Sequence, residues 1–506
     1  MSTNTSEPAV AAGAQPAAPD NPHHQRRWWA LGVILIAQMM LLLDATIVNV
    51  ALPSMQADLG FSDDARGWVV TAYLLAFGSL LLLGGRLADA FGRKTVFVVG
   101  LVGFAIASAV AGAAPNIATL ITARAVQGGF AAVMAPAALS LIMIIFTDLK
   151  ELNKAFAIFG AVAGSSSAIG LMLGGVLTDY ASWRWTMYVN VAFAAVGILG
   201  ALTLLHNTAE TDKPRLSVPS TLLGTAGVFG LVFGASKAAT DGWSAAVTLT
   251  SLILGGLLLV VFVAFQKIDR NPLVPLRVVA DRNRGSGLLT LLLGQAGVFA
   301  LFLFLTYYFQ GVLGYSPFRT GLAFLPMMVT VAVVATVTQS VLVKHLTMRA
   351  IVAGGLAVGG AGAALLTRAD ANSHYAAWVL PGLVLAGAGI GSAIVSAVAL
   401  SQMGVEPRDA GAAGAINNVA QQIGAALGIA VISTFVATAT SGYLADHGSA
   451  ATVDAAVHGF SVGFWWAAGA FWAGAILTGV LIRGGTRFHQ EDGEPEPLDE
   501  IVGGLI

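Results

Sequence analysis

The chain has no cysteine. Disulfides and thiol chemistry are therefore excluded, and the redox compartment is left open. Charge is scarce too: Asp, Glu, Lys and Arg make up 10% of 506 residues. A soluble globular chain is nearer a quarter charged. The net charge is -1, so no nucleic-acid partner is expected. There is no HExxH, no GxSxG and no cluster of histidines and acids at ligand spacing. No enzyme, metal site or cofactor is read from the chain. His23, His24, His345, His374, His447, His458 and His489 fall in expected tails, loops or span ends. No secretory signal is expected either. The apolar run after Trp28 is too long for a signal core and has no Ala-x-Ala cleavage site.

What is present is apolar. The chain is 57% hydrophobic, with a mean hydropathy of +0.80. Its apolar runs have the length of roughly 20 residues that a helix needs to cross a bilayer. Fourteen are expected, about 28–52, 66–86, 94–114, 117–143, 155–179, 183–206, 219–237, 245–266, 287–312, 318–343, 349–367, 376–401, 411–437 and 459–482. The fold class is thus an all-α, multi-pass membrane protein. Residues 1–27, Ala/Pro-rich, and 483–506, acidic, read as disordered tails.

An even span count puts both termini on one side. Of the 25 Lys and Arg residues, 19 then fall on the side of the termini, 5 on the other, and Arg124 inside a span. That asymmetry makes the termini cytoplasmic. Trp68, Trp183, Trp243 and Trp378 fall near the outer ends, where an aromatic belt and simple gap filling fit equally. The segment "QKIDRNPLVPLRVVADRNRG", 266–285, reads as a surface linker between eight spans and six.

Two charges remain inside the hydrocarbon, Asp44 in "LLLDATIVNVALP" and Arg124. Counting at the helical rise, Asp44 lies about 12 Å and Arg124 about 10 Å below the outer surface, with Tyr73 level with them. Intramembrane charges face the bundle interior and find partners, so the three side chains are expected to meet. Such a pair is a static bridge or a proton site. The expense of burying ionisable groups favours the proton site. A set of amides lies deeper. Gln38, Gln295 and Gln422 fall near the midplane, with Asn417 and Asn418 a turn further in. An amide can line a substrate cavity or tie two helices, and both readings stand.

Between spans 2 and 3 lies "GGRLADAFGRK", a Gly-punctuated turn with one acid and three bases. The order Gly85, Leu87, Asp89, Gly92, Arg93, Lys94 resembles the signature loop of the major facilitator superfamily. "LDATIVNVALP", "RAVQGG" with Arg124, Gln127 and Gly128, "WRWTMYVNV", "YYFQGVLGYSPFRTGLAFLP" and "GAAGAINNVAQQIGAALG" resemble spans of its fourteen-span drug:proton antiporter family. The fifth-span motif departs: "GLMLGG" keeps Gly170, Gly174 and Gly175 but has Leu171 where that family usually has proline. A kink there is put in doubt.

The resemblance implies a major facilitator fold. Six-helix bundles over 28–206 and 285–482 would rock about a central cavity, with two additional helices and a linker over 207–284. It implies proton coupling at Asp44, Arg124 and Tyr73, and a cavity that includes Gln127. It implies a latch of Gly85, Asp89, Gly92 and Arg93 against the start of span 13, near Arg408 and Gly411, that holds the outward-open state. The function implied is proton-driven export of amphipathic small molecules such as drugs or antibiotics, by a monomer in the cell membrane. A facilitator moving siderophores, lipids or nutrients is the alternative. Spans 9 to 14 hold no acid, which favours neutral or monocationic substrates.

Overall fold

The computed structural model describes residues 26–146, 148–205, 217–269, 276–371, 373–405, 410–448 and 450–482. Among them there is no strand. Hydrocarbon offers no partner to a backbone amide, so a chain this apolar satisfies its peptide groups within helices. The helices are α1 (Arg27–Leu59), α2 (Asp63–Phe91), α3 (Arg93–Gly112), α4 (Ile117–Ile145), α5 (Leu149–Tyr180) and α6 (Arg184–Leu204). After them come α7 (Val218–Asp241), α8 (Ala246–Ile268), the short α9 (Leu276–Ala280), α10 (Arg282–Tyr307), α11 (Pro317–Val337) and α12 (Val343–His345). The last helices among the described residues are α13 (Met348–Leu366), α14 (Leu380–Gln402), α15 (Ala410–His447) and α16 (Thr452–Leu481). Wide π-helical turns extend α10 over Tyr308–Val312, join α11 to α12 over Thr338–Leu342, and open α14 over Tyr375–Val379.

Among the described residues, 12 helices are long and apolar enough to cross a membrane. Two of the fourteen expected spans, α2 and α5, show only the shorter apolar stretches Ala65–Leu81 and Ile169–Tyr180. Several helices outrun the spans expected from hydropathy. Helix α1 continues past Pro53 to Leu59 and stops at Gly60, whose φ of 65° is left-handed. Hydropathy marks the hydrocarbon slab, while the hydrogen-bonded helix runs on through the polar turn beyond it. The 266–285 linker is partly helical: it contains α9, and the Asp281 side chain caps α10 by accepting from the amides of Asn283 and Arg284. Both tails lie outside the described residues, apart from the first residues of α1.

One set of helices gathers α1 against α4, α5 and α6, α4 against α2 and α3, and α3 against α6. A second set gathers α10 against α14, α15 and α16, α13 against α14 and α16, and α11 against α14. The sets meet along two seams, α2 with α15 and α5 with α11. Helices α7 and α8 form a hairpin, and α7 leans on both α2 and α15. The α7–α2 contact includes a hydrogen bond from the Thr225 hydroxyl to the Ser79 carbonyl, 3.0 Å. The exterior is apolar, as lipid requires: Ile106, Leu199, Ile253 and Val260 are each at least 60% exposed. Of the four tryptophans at expected outer ends, Trp183 is buried and donates to Asp58, and Trp68 packs on Phe233. Trp243 and Trp378 are exposed.

Candidate functional site

Asp44 lies midway along α1, buried, with apolar residues before it on the chain. Two close approaches bring polar partners to it. On α4, Gly128 sits so tightly against α2 that a Cβ there would lie 2.3 Å from the Tyr73 carbonyl oxygen. This draws the Arg124 turn onto Tyr73. On α5, Gly170 and Gly174 meet the α1 backbone at Leu43 and Ile47. Small residues that let helices touch are the usual basis of packing in lipid.

The charges meet. Arg124 Nη1 donates to Asp44 Oδ2 at 2.6 Å, and the two side chains are 1% and 0% exposed. The same nitrogen donates to Gln127 Oε1 at 2.7 Å, and Arg124 Nε donates to the Val69 carbonyl at 3.2 Å. The guanidinium stacks over the Tyr73 ring, 4.4 Å from its centroid. Asp44 Oδ1 accepts from Gln127 Nε2 at 2.9 Å and from Asn190 Nδ2 at 2.7 Å. Gln127 Nε2 also donates to Ser108 Oγ at 2.7 Å. Three donors converge on one carboxylate. Elements α1, α2, α3, α4 and α6 each contribute a group.

Sequence reasoning placed Asp44, Arg124 and Tyr73 together and missed Asn190 and Ser108. It also set Gln127 among the cavity amides. In the structure Gln127 is fully buried, and both ends of its amide are engaged by the ion-pair cluster.

The other expected amides lie on α10 and α15, apart from Gln38 on α1. Gln295 Nε2 donates to Gln421 Oε1 at 3.0 Å, so Gln421 joins the expected set. Asn418 Nδ2 bonds its own helix at the Gly414 carbonyl. Asn417 is buried, and neither end of its amide meets a partner among the described residues. Gln38 and Gln422 are half-buried. Gln422 faces α2: a Cβ on Gly78 would lie 2.9 Å from its Cβ.

At the α2–α3 corner, Gly92 alone separates the two helices, and its φ of 91° lies in the region only glycine enters freely. Arg93 starts α3, and Gly85 faces Pro136. The side chain of Asp89, and Arg408, lie outside the described residues. Helix α5 runs without a break through Leu171, which is fully buried. Gly175 packs on Pro317 and Phe318 of α11, and a Cβ on Gly321 would lie 2.6 Å from the Leu171 carbonyl oxygen.

Polar contacts join the two sets of helices at the end where α1 and α10 finish. Tyr307 Oη donates to Gln56 Oε1 at 2.9 Å, and Gln310 Nε2 donates to the Val50 carbonyl at 2.8 Å. Arg66 stacks on the Tyr307 ring at 4.3 Å, and Tyr180 meets Phe318 edge to face.

Comparison with known proteins places this architecture. The family model described as Major Facilitator Superfamily matches residues 34–429. The puromycin resistance protein pur8 of Streptomyces alboniger is 47% identical over 92% of this chain and 94% of its own length. The cephamycin export protein CmcT of Amycolatopsis lactamdurans is 37% identical over 89% and 92%. Among solved structures, a bacterial homologue of the human lysosomal transporter Spinster, in an inward-facing and unoccupied conformation, superposes with a TM-score of 0.66. It is 16% identical and covers 90% of this chain and 96% of its own, a likeness of fold. The chain belongs to the major facilitator superfamily, as a multi-pass membrane transporter of small molecules and not an enzyme.

Proposed function

We propose that the chain is a proton-coupled exporter of amphipathic small molecules of the antibiotic type, working by alternating access. The observation that carries this is the carboxylate of Asp44, buried in a membrane helix and ringed by Arg124, Gln127 and Asn190. An intramembrane acid is expensive, and a proton pathway is its usual purpose. Two relatives that match nearly the whole chain are named for antibiotic resistance and antibiotic export, which supports outward movement of such compounds.

In this reading α2 and α5 cross the membrane with the other helices, which makes fourteen spans and two cytoplasmic termini. Residues 28–206 and 285–482 are the moving bundles of a monomer, and α7 and α8 lie outside them. The contacts at Gln56, Val50, Tyr307 and Gln310 then seal the outer end, so the conformation opens inward. In this reading the Asp44 carboxylate is the group that exchanges a proton. Taking one from outside would neutralise it, release Arg124 from the attraction and change which conformation is favoured. Substrate would leave outward as the proton passes inward. The amides of α10 and α15, with Gln38, would line the cavity and suit neutral or monocationic molecules. Asp89 and Arg93 would hold the inner end shut in the opposite state, against the start of α15 near Arg408.

Inside-out vesicles test the reading. Puromycin is a suitable first probe, with its accumulation measured before and after a proton gradient is imposed. Gradient-dependent uptake that collapses with a protonophore is expected. Uptake unaffected by the gradient would remove proton coupling, and movement in the opposite direction would favour a symporter.

A further inference from the structure

We infer that Asn190 is a positioning residue that reads the protonation state of Asp44 by turning its amide over. The inference rests on the reading above, in which Asp44 exchanges protons. Its own observation is different. Asn190 is fully buried on α6, and its Nδ2 is spent on Asp44 Oδ1 at 2.7 Å. Its Oδ1 is buried and meets no donor among the described residues. A buried carbonyl without a donor is a standing loss that a packed site seldom keeps without reason.

The neighbouring amide shows why Asn190 is the one that turns. Gln127 is held at both ends: Oε1 accepts from Arg124, while Nε2 donates to Asp44 and Ser108. Rotating it would set an amide nitrogen against the guanidinium. Asn190 has no second partner to lose. A half-turn about its last side-chain bond exchanges the positions of nitrogen and oxygen. With Asp44 ionised, the nitrogen faces the carboxylate. With one proton added to Asp44 Oδ1, the new O–H needs an acceptor, and the turned amide supplies its oxygen. The balance is one proton gained by the carboxylate and one hydrogen bond reversed in direction. Arg124 stays charged, bonded to Gln127 and Val69 and stacked on Tyr73. In both protonation states Asp44 Oδ1 keeps a partner on α6, so the carboxyl group can change charge without losing its place.

Among the described residues, the charged and titratable groups around Asp44 are Arg124 from α4 and Tyr73 from α2. Helix α3 reaches the cluster through Ser108 and α6 through Asn190, both uncharged. Helix α5 meets this part of α1 through Gly170 and Gly174. From α10, Tyr307 meets α1 at Gln56, twelve residues further along.

Infrared difference spectra of the full-length protein in liposomes, recorded on acidification, test this directly. The wild type should gain a protonated-carboxyl band that Asp44→Asn lacks. A paired change in an amide carbonyl band should appear, and it should shift when asparagine is supplied isotope-labelled. Asn190→Leu should keep the carboxyl band, moved towards that of an unbonded acid, and lose the labelled amide change. It should also slow proton-driven puromycin efflux about tenfold, the worth of one hydrogen bond to a charged group. An amide change that ignores the label, or survives in Asn190→Leu, overturns the inference. Labelling reads the unmutated protein, so an amide change that ignores the label overturns the inference even if the variant does not fold. Absence of any carboxyl band lost in Asp44→Asn is a separate result: it removes Asp44 as the proton carrier, and the amide's role with it.

Discussion

Arg124 Nη1 and Asp44 Oδ2 lie 2.6 Å apart with both side chains withdrawn from solvent. Either charge would be expensive to keep there alone. A buried ion repays its lost hydration only through a partner in good geometry with its remaining bonds satisfied. Here the other carboxylate oxygen is satisfied by two amides. The pair is therefore stable as a unit and sensitive to loss of either member.

Asp44→Asn should abolish proton-driven efflux while the protein still inserts and folds. Asparagine has nearly the volume of aspartate and still accepts hydrogen bonds through its carbonyl. What it loses is the titrating group. Efflux from inside-out vesicles, normalised to membrane-inserted protein, checks this. Wild-type rates in a well-expressed variant would take Asp44 out of the mechanism.

Arg124→Ala should be nearly as damaging, because it leaves the carboxylate buried with only amide donors. Removing one partner of a buried pair costs about 3–5 kcal/mol. The double variant with Asp44→Asn should be little worse than either single change, since groups that act as one unit are not additive. A double-mutant cycle on efflux rate and thermal stability measures this. Simple additivity would mean that the pair does not function as a pair.

The sequence made this much legible because charge in hydrocarbon is rare. Asp44 and Arg124 stood out among apolar neighbours, and the helical rise put them at one depth. The helices were legible for the same reason, through continuous apolar runs. Asn190 and Ser108 were not, because uncharged residues are ordinary in membrane helices. The depth count still reaches them: Asn190 lies seven residues after Trp183 and Ser108 six before Ala114, each about 10 Å from the outer end. The pairing of Gln127 with the ion pair was hidden because facing direction, not depth, decides it. Helix ends were misjudged by up to a few turns, as in α1 and α15, because polar turns outside the hydrocarbon remain helical.

Asp89→Asn should slow transport while substrate binding persists. In the proposed latch the carboxylate meets the positive end of α15, an interaction of about 0.3–1 kcal/mol at a helix terminus. Losing it shifts the balance between conformations without touching the cavity. Equilibrium binding and efflux rate are to be measured on the same preparation. Equal losses in both would contradict a latch.

Adjacent glycines on α4 give the sharpest test of the packing that builds the site. Alanine suits a helix interior better than glycine by about 1 kcal/mol, so Gly→Ala is stabilising wherever space allows. At Gly129 the added Cβ would meet only the Leu80 Cδ1 at 3.4 Å, the far end of a flexible side chain. At Gly128 it would lie 2.3 Å from the Tyr73 carbonyl oxygen and 3.1 Å from its Cα. Backbone cannot turn aside as a side chain does, so α2 and α4 must separate. Arg124, one turn away on α4, bonds the Val69 carbonyl of α2 and stacks on Tyr73, so the separation strains its contacts. Gly129→Ala should leave the unfolding temperature in detergent unchanged or raised, with normal efflux. Gly128→Ala should lower both. The same chemical change one residue apart controls for helix propensity and for polarity. If the two variants behave alike, the close approach of α2 and α4 at Tyr73 does not hold Arg124 in place.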